Sequence, residues 1–544
     1  MKSKIAVFLF LVLALFLRFY KFGEIPVGLN RDEASIGYNA YSILQTGKDE
    51  YGERFPLSFK SFGDWKLPLY PYLLIPFVKL LGLSDFSVRL PSALAGILTI
   101  VVTYFLTKEL LSGSISQYLN SLVSLIASFL LAISPWHIHF SRAAYEANVA
   151  LFLTVLGVYF LVKSFKKNKF LLLSSLCFAL TLFTYHGAHV FVPPFVLALV
   201  FLFRKKFTLN FFSISTLFLF LLLTFVAFHQ TLVEADVTKI SGIGIFTDPV
   251  LIHKEIDLLR IVHYDFFGRV FHNKLVFFAT SFLKNYLNCF SFNFLYFEGG
   301  THPVHNIPHF GNFYKIEPLF LIFGFVYLIK EKFEYKKLLL PWLFLSPLPS
   351  SITKDAPNSA RMLCSLPVFQ IIEALGVAFL FNLCKNRRVK FLALASSFLL
   401  LIFEISQFAD FYFLHFPKER AINWGGEYKN LVDFIGKQDT KKVIMEKPSY
   451  SPYIYFLFYQ QVNPKDFISS VAYYPKTSDG FFHVKSFANL QFREIIEEDF
   501  QKEGQILIFW GENVTEDFLA LKKGELVRVF NLPSSFPQFY VFKT

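Results

Sequence analysis

Two adjacent carboxylates, Asp32 and Glu33, follow the first apolar segment of the chain and could carry its chemistry. Neighbouring residues on a helix point about 100° apart, so the two side chains cannot share one role. One carboxylate could face a cavity, while the other pairs with Arg31 or caps a helix that begins near Ala34. Acids are also common at helix N-termini, where the helix dipole favours negative charge. Residue type alone leaves both interpretations open.

Two further polar groups lie between later apolar runs. Arg142, Tyr145 and Glu146 precede one run, and Arg142 and Glu146 are spaced to form an ordinary helical ion pair. His186 and His189 offer two imidazoles beside a turn, which is weak support for a metal site. Each group therefore has a structural interpretation beside a functional one.

Two cations, Lys66 and Arg361, also stand next to apolar runs. Lys66 precedes an apolar stretch that contains Pro68, Pro71 and Pro76. Cations at the depth of lipid headgroups often bind lipid phosphate without specificity. Either cation alone would be interpreted as a nonspecific contact with lipid phosphate.

The elements that must position these residues are membrane helices. The chain has 544 residues, of which 54% are hydrophobic and 19% aromatic. About eleven apolar runs approach the ~17–25 residues that a transmembrane helix needs, so we predict a polytopic membrane protein. The first run is interpreted as an uncleaved anchor because no small-residue cleavage site follows it. The runs lie near residues 5–20, 88–107, 119–134, 146–162, 171–185, 188–203, 211–229, 318–329, 338–349, 363–383 and 391–408.

The distribution of charge predicts the topology. If the N-terminus is inside and residues 67–81 lie in the interface, the inner connections hold 18 Lys and Arg against 3 acids. Positive connections face the cytoplasm, so this arrangement satisfies the positive-inside rule. The basic charge is then a signal of orientation, which argues against nucleic-acid binding. The four cysteines have no CxxC spacing and suggest neither a metal knuckle nor a disulfide framework.

This topology predicts two domains. Residues 1–409 form a transmembrane domain with outer loops at 21–87, 135–145 and 230–317, the last with interfacial helices. Residues 410–544 form a small α/β domain on the outer face, because 442–445 and 505–510 have the composition of buried strands and 453–459 that of a helix. Further strands are expected at 527–530 and 539–542.

Several short motifs carry a resemblance to a known family. The motif Lys66-Leu67-Pro68-Leu69-Tyr70 is similar to Lys-Pro-Pro-Leu-Tyr, with Leu67 as a departure. The chain resembles the GT-C membrane glycosyltransferases of glycosyltransferase family 39, which include dolichyl-phosphate-mannose protein mannosyltransferases and bacterial aminoarabinose transferases. The resemblance covers roughly residues 1–410. The other matching motifs are Asp32-Glu33, Val88-Arg89-Leu90-Pro91-Ser92, Ser134-Pro135-Trp136, Arg142 with Glu146, and Thr184-Tyr185-His186.

The resemblance implies an inverting transferase that moves a hexose or pentose from a polyprenyl-phosphate donor to an acceptor hydroxyl of a protein, lipid or envelope glycan. Asp32 is then the general base, Glu33 supports it, and Lys66 contacts the donor phosphate. The leaving lipid phosphate is a stable anion, so the reaction needs a base and cations but no general acid. The other expected substrate-binding residues are Arg89, Arg142, Tyr145, Glu146, His186 and Arg361.

The resemblance assigns no cofactor and leaves a divalent metal open, because relatives differ in their use of one. The expected location is the plasma membrane of a bacterium, with the active site outside and with membrane lipids and the acceptor as partners.

Two alternatives stay open. A lipid-linked oligosaccharide ligase or polymerase would use paired arginines such as Arg260 and Arg269 in the long outer loop, but it would not need the acidic pair. A lipid or sugar transporter would carry ionisable residues in mid-span and internal repeats. Only Glu373 and Glu404 are acids well inside predicted spans, and no repeat is evident.

Overall fold

The chain divides into two compact units. The structure, a computed structural model, describes residues 2–62, 64–208, 210–230, 243–246, 249–262, 266–331, 333–383, 386–446, 451–477, 482–522 and 524–544. Unit 1 comprises Met1–Tyr20, Ser92–Ser141 and Tyr145–Ala409. Unit 2 comprises Lys21–Pro91, Arg142–Ala144 and Asp410–Thr544.

Most of the chain is helical. The helices up to residue 288 are α1 Lys2–Phe19, α2 Arg31–Thr46, α3 Leu69–Leu81, α4 Asp85–Leu110, α5 Gln117–Ile133, α6 Pro135–Ser141, α7 Glu146–Ser164, α8 Phe170–Leu182, α9 His186–Leu202, α10 Phe211–His229, α11 Pro249–Val262, α12 Phe266–Phe271 and α13 Lys274–Asn288. The later helices are α14 Glu317–Lys330, α15 Lys336–Leu345, α16 Leu348–Ser351, α17 Ser359–Met362, α18 Val368–Leu383, α19 Arg387–Asp410, α20 Phe416–Glu419, α21 Tyr428–Ile435, α22 Tyr453–Tyr459, α23 Pro464–Ser470 and α24 Glu516–Leu521.

Unit 1 is a helical membrane domain. Four helices of the described residues are long and apolar enough to cross a membrane: Asp85–Leu110, Glu146–Ser164, Phe211–His229 and the run Arg387–Glu419. Two bent pairs, α5 with α6 and Ser359–Ser365 with α18, would raise the number to six. Each of the eleven predicted spans overlaps a helix, although 338–349 covers parts of both α15 and α16 and 363–383 begins before α18; the number of spans stays a prediction.

Glycines allow two helices of unit 1 to pack closely. The Cα of Gly324 in α14 faces the backbone carbonyl of Ile372, and Gly376 in α18 faces that of Phe320. A side chain at either position would overlap a backbone atom, so α14 and α18 approach as only glycine permits.

Unit 2 contains two sheets. A short antiparallel hairpin pairs β1 Phe59–Ser61 with β2 Asp64–Lys66, with Phe59 opposite Lys66. The second sheet has seven strands in the order β4-β5-β6-β3-β7-β9-β8, and β3 is parallel to both of its neighbours. Its strands are β3 Lys442–Met445, β4 Ala472–Tyr473, β5 Val484–Phe487, β6 Leu490–Phe492, β7 Gln505–Trp510, β8 Leu526–Asn531 and β9 Pro537–Lys543.

Four predicted strands and helix α22 lie at the expected positions, whereas a separate α/β domain on the outer face stays a prediction. Strands β4, β5 and β6 were not predicted. They are two to four residues long, so they carry little periodic signal.

The first predicted outer loop packs with the C-terminal residues rather than forming a separate feature of the membrane domain. Gly28 has φ +73°, and a Cβ there would lie 2.6 Å from the carbonyl oxygen of Trp424. Tyr38 donates a hydrogen bond from its hydroxyl to the carbonyl of Val462 at 3.0 Å. Unit 1 ends at Ala409, at the predicted domain boundary, but residues 21–91 belong to unit 2.

The proline-rich stretch forms α3, a helix of 13 residues in unit 2. That length is below the ~17–25 residues needed to span a bilayer. Its predicted place in the interface, like that of α11 to α13, stays a prediction, and residues 231–242 of the predicted loop 230–317 lie outside the described residues.

Candidate active site

The acidic pair lies in the first turn of α2, where a capping box fixes it. The Asn30 side chain accepts hydrogen bonds from the backbone N–H groups of Asp32 and Glu33, each at 3.0 Å. Glu33 Oε2 accepts in return from the Asn30 backbone N–H at 3.1 Å. The box satisfies backbone donors that a helix start leaves open. Asn30 with Glu33 three residues later is the sequence signal of such a start.

Glu33 is a buried structural acceptor. Arg89 donates to it twice, from Nε to Oε1 at 3.0 Å and from Nη2 to Oε2 at 3.2 Å. The backbone N–H of Ala144 donates to Oε1 at 2.8 Å. Only 2% of the Glu33 side chain is exposed. Its two oxygens therefore connect α2 to Arg89 of α4 and to the Arg142–Ala144 segment. The ion-pair partner of Glu33 is Arg89 rather than the neighbouring Arg31.

Arg89 is fully buried, and its guanidinium is used inside unit 2. Besides Glu33 it donates to the carbonyls of Pro26, at 3.0 Å, and Gly28. The ring of Trp424 lies 5.8 Å from the guanidinium carbon. These contacts favour a role in holding the loop before α2, and the substrate contact expected of Arg89 stays a prediction.

Asp32, unlike the buried Glu33, has a half-exposed side chain. Its side chain is 49% exposed, and its Oδ1 lies 3.2 Å from the Nζ of Lys66, which is 10% exposed. Lys66 is the last residue of β2, so the hairpin delivers its ammonium to the N-terminus of α2. The expected base and the expected phosphate-binding cation are thus neighbours, although 34 residues separate them in the sequence.

Arg142 lies in the segment that Glu33 holds to unit 2. Its Nη2 donates to the carbonyls of Ile25 at 3.0 Å and Lys21 at 3.4 Å. The rings of Tyr412 and Phe413 lie 5.6 and 5.2 Å from its guanidinium carbon. Because α7 begins at Glu146, Arg142 precedes that helix and does not share it with Glu146.

The other four predicted residues belong to unit 1. Glu146 is the first residue of α7, and Tyr145 is its N-cap. The Tyr145 hydroxyl donates to the carbonyl of Val304, which His139 Nε2 also contacts at 2.8 Å. The segment around Val304 is thereby held against the start of α7.

Arg361 and the turn before α9 border one small cavity. This cavity of about 20 Å³ is lined by Tyr185, Gly187 and Arg361 among others, and His186 is the first residue of α9. Arg361 Nη1 donates to Asp355 Oδ1 at 2.5 Å. Burial alone would raise the pKa of Asp355, but the Arg361 guanidinium together with hydrogen bonds from Asn358 and Thr353 holds that pKa below its ordinary value.

Sequence reasoning missed a pair of histidines beside Tyr145. His302 and His305 stack with ring centroids 3.9 Å apart, and the ring of His305 is 5.7 Å from that of Tyr145. The spacing His-Pro-Val-His was the available signal. Across the part of the chain that the structure describes, no three His, Cys, Asp or Glu side chains are grouped to hold a metal ion. We therefore assign no metal ligands.

The fold and the sequence of residues 66–229 indicate the class of protein to which the chain is similar. Residues 66–229 match the family model described as dolichyl-phosphate-mannose-protein mannosyltransferase. The chain has the fold of the GT-C glycosyltransferases, which confirms the resemblance drawn from the motifs and the polytopic helical fold class. No curated protein sequence matches the chain at a significant level.

Among solved structures, the chain is similar to ArnT from Cupriavidus metallidurans. For its apo state the TM-score is 0.51 at 11% identity, over 100% of this chain and 98% of that one. For the same protein bound to undecaprenyl phosphate the TM-score is 0.51 at 10% identity, over 98% and 97%. The archaeal oligosaccharyltransferase AglB from Archaeoglobus fulgidus gives 0.48 at 13% identity, over 84% of this chain, which spans 64% of AglB.

Proposed function

We propose that the chain is an inverting glycosyltransferase that moves a hexose or pentose from a polyprenyl-phosphate donor to an acceptor hydroxyl. The observation that carries the proposal is the half-exposed Asp32 carboxylate 3.2 Å from the buried Lys66 ammonium. The related fold of ArnT bound to undecaprenyl phosphate supports a lipid-linked donor. The acceptor is a protein, lipid or envelope glycan.

Asp32 rather than Glu33 acts as the base. All the space around the Glu33 carboxylate is taken by four hydrogen bonds from Arg89, Asn30 and Ala144, and water scarcely reaches it. Asp32 is at the surface of unit 2, where an acceptor can approach. The N-terminus of α2 and the Lys66 ammonium both stabilise its negative charge. Glu33 and Arg89 are positioning residues that fix the turn carrying Asp32.

The reaction is a single displacement. Asp32 takes the proton of the acceptor hydroxyl as the oxygen attacks the anomeric carbon from the face opposite the phosphate. The bond between this carbon and the phosphate oxygen breaks, and its electron pair stays on the phosphate. One attack from the opposite face inverts the anomeric configuration. The lipid phosphate leaves as an anion and needs no proton from an acid.

Lys66 serves both partners of this step. An ammonium carries three N–H donors, so one can hold Asp32 while another contacts the donor phosphate. Placing the cation between the two orients the acceptor base toward the donor and stabilises charge on the leaving group. In unit 1, Tyr145, Glu146, His186 and Arg361 are proposed to bind substrate, as is Arg142 in unit 2.

The proposed topology has the N-terminus inside, about eleven spans, and the active site and C-terminal domain outside. It rests on the excess of Lys and Arg in the predicted inner connections.

The test is sugar transfer by purified full-length protein with a panel of polyprenyl-phosphate monosaccharides. Asp32→Asn should lower transfer by about 10²–10⁴-fold, the contribution of a general base. Asp433→Asn is the matched control, because it makes the same change at an exposed helical position of unit 2. Near-normal transfer by Asp32→Asn, or retention of the donor's anomeric configuration in the product, would contradict the mechanism.

A further inference from the structure

A second cavity lies in unit 1 and has no part in the proposed reaction. It has a volume of about 320 Å³ and is bordered by the end of α7 at Leu161, by α8, α9 and α10, and by the turn between α9 and α10. Its lining is apolar and includes Leu171, Phe178, Leu199 and Phe220. Since Glu146 and His186 begin α7 and α9, the cavity lies toward the opposite ends of the helices that carry those site residues.

Two of the polar side chains on the wall, Ser174 and Ser213, already have hydrogen-bond partners within the protein. Ser174 donates from its hydroxyl to the carbonyl of Gly157 at 2.8 Å. Ser213 Oγ lies 3.0 Å from Asn210 Oδ1 and accepts from Asn168 Nδ2 at 3.3 Å. With these groups already bonded, the cavity suits hydrocarbon better than water, which needs two to four polar partners.

The mouth of the cavity is basic. Arg204 lines it, and Lys205 follows; both are exposed. Lys206 differs, because it forms an ion pair with Glu334 at 2.7 Å. Within the described residues, Arg204 stacks on Phe201 at 5.0 Å and has no acidic partner, so its guanidinium donors can meet a phosphate.

We propose that this cavity binds an anionic phospholipid, with one acyl chain inside it and the headgroup phosphate on Arg204. Hydrocarbon fits the lining, and the two exposed cations complement a headgroup with net negative charge. Basic pockets between membrane helices are known to select such headgroups. The proposal does not depend on the proposed reaction, since no residue of the cavity belongs to the candidate active site.

The experiment is native mass spectrometry of full-length protein in a nonionic detergent, titrated with phosphatidylglycerol or with phosphatidylcholine of the same chains. The wild type should retain one phosphatidylglycerol at concentrations where phosphatidylcholine is lost. Arg204→Gln should weaken this binding by about fivefold, the effect of one cation near an anionic headgroup. Arg388→Gln, which removes an exposed cation from the start of α19, should leave it unchanged.

A second variant tests the chain-binding part of the cavity. Ser175 lines the cavity and is half-buried, so Ser175→Phe should fill it and remove the retained lipid without changing the charge at the mouth. Equal retention of both lipids, or unchanged retention in Ser175→Phe, would overturn the proposal. So would displacement of the retained phosphatidylglycerol by an equimolar polyprenyl phosphate, because the occupant would then be a polyprenyl lipid.

Discussion

The buried pair Glu33–Arg89 allows the structural role of one acid to be separated from the catalytic role proposed for its neighbour Asp32. In Glu33→Gln the amide N–H₂ replaces one of the two oxygens that accept hydrogen bonds. In one orientation it faces the N–H donors of Arg89 and Asn30, and in the other those of Arg89 and Ala144. The Arg89 charge also loses its only counter-charge within hydrogen-bond reach among the described residues. Removing one partner of a buried ion pair costs about 3–5 kcal/mol of unfolding free energy.

This cost should be visible as a change in melting temperature. A domain of 150–250 residues loses about 2–4 °C for each kcal/mol, so Glu33→Gln should melt about 6–20 °C below the wild type. Asp32→Asn breaks only a half-exposed pair worth about 0–1 kcal/mol and should melt within a few degrees of the wild type. The assay is thermal unfolding in detergent, followed by tryptophan fluorescence, beside sugar transfer at a temperature where each variant is folded.

A double-mutant cycle checks the mechanism of destabilisation. Arg89→Met leaves Glu33 buried without its cation, whereas Glu33→Gln/Arg89→Met buries no net charge. The loss of unfolding free energy in the double variant should therefore be smaller, by about 0.5–3 kcal/mol, than the sum of the losses in the two single variants. Glu512→Gln, an exposed acid of unit 2, is the control and should melt as the wild type does. Loss of transfer by Glu33→Gln at an unchanged melting temperature would refute the positioning role.

Three further outcomes are expected. Lys66→Met should lower sugar transfer but change the melting temperature little, since its ion pair with Asp32 is half-exposed. An equal loss of transfer from a donor that lacks the phosphate charge would contradict the phosphate contact. Burial and the nearby Asp49 raise the pKa of Glu50 well above its ordinary value, by more than the Asn39 side chain lowers it. The folded state therefore holds this proton more tightly, so the wild type loses stability as pH rises above about 4.5. Glu50→Gln should be more stable by about 1–3 kcal/mol at pH 8 and gain less at pH 5, as melting curves would show; lower stability at pH 8 would contradict this. In a background with the native cysteines replaced by serine, Glu53→Cys should react with a membrane-impermeant thiol reagent added outside and Lys167→Cys should not; the reverse pattern would invert the topology.

Local patterns in the sequence were enough to predict the elements that carry the site. The spacing of Asn30 and Glu33 is a capping signal, and the observed box starts α2 three residues before the expected Ala34. Long apolar runs mark the helices, because a membrane helix satisfies its backbone internally and needs only apolar side chains outside. Four strands of the C-terminal sheet were found for a similar reason, since buried strands are nearly continuous apolar runs.

The long-range contacts could not be predicted in the same way. Nothing local links Arg89 to Glu33, or Gly28 to Trp424, because each contact depends on how distant elements pack. From the sequence, both acids were therefore expected in the catalytic site, with Glu33 supporting Asp32, and Arg89 was expected to contact substrate. The structure separates the two acids by burial, since 2% of the Glu33 side chain and 49% of the Asp32 side chain are exposed.

The same separation explains why two adjacent acids would be useful to a transferase of this kind. A catalytic base must be held in a fixed position at the surface, yet the first turn of an isolated helix, which here carries the half-exposed Asp32, would fray. Glu33 removes that freedom, since its buried bonds to Arg89 and Ala144 connect the first turn of α2 to Arg89 and to the Arg142–Ala144 segment of unit 2. Asp32, one residue earlier and about 100° around the helix, inherits this fixed backbone while keeping its side chain accessible. Precise placement of a base relative to its substrate is worth several kcal/mol of barrier, which exceeds what either carboxylate could contribute by charge alone at an exposed position.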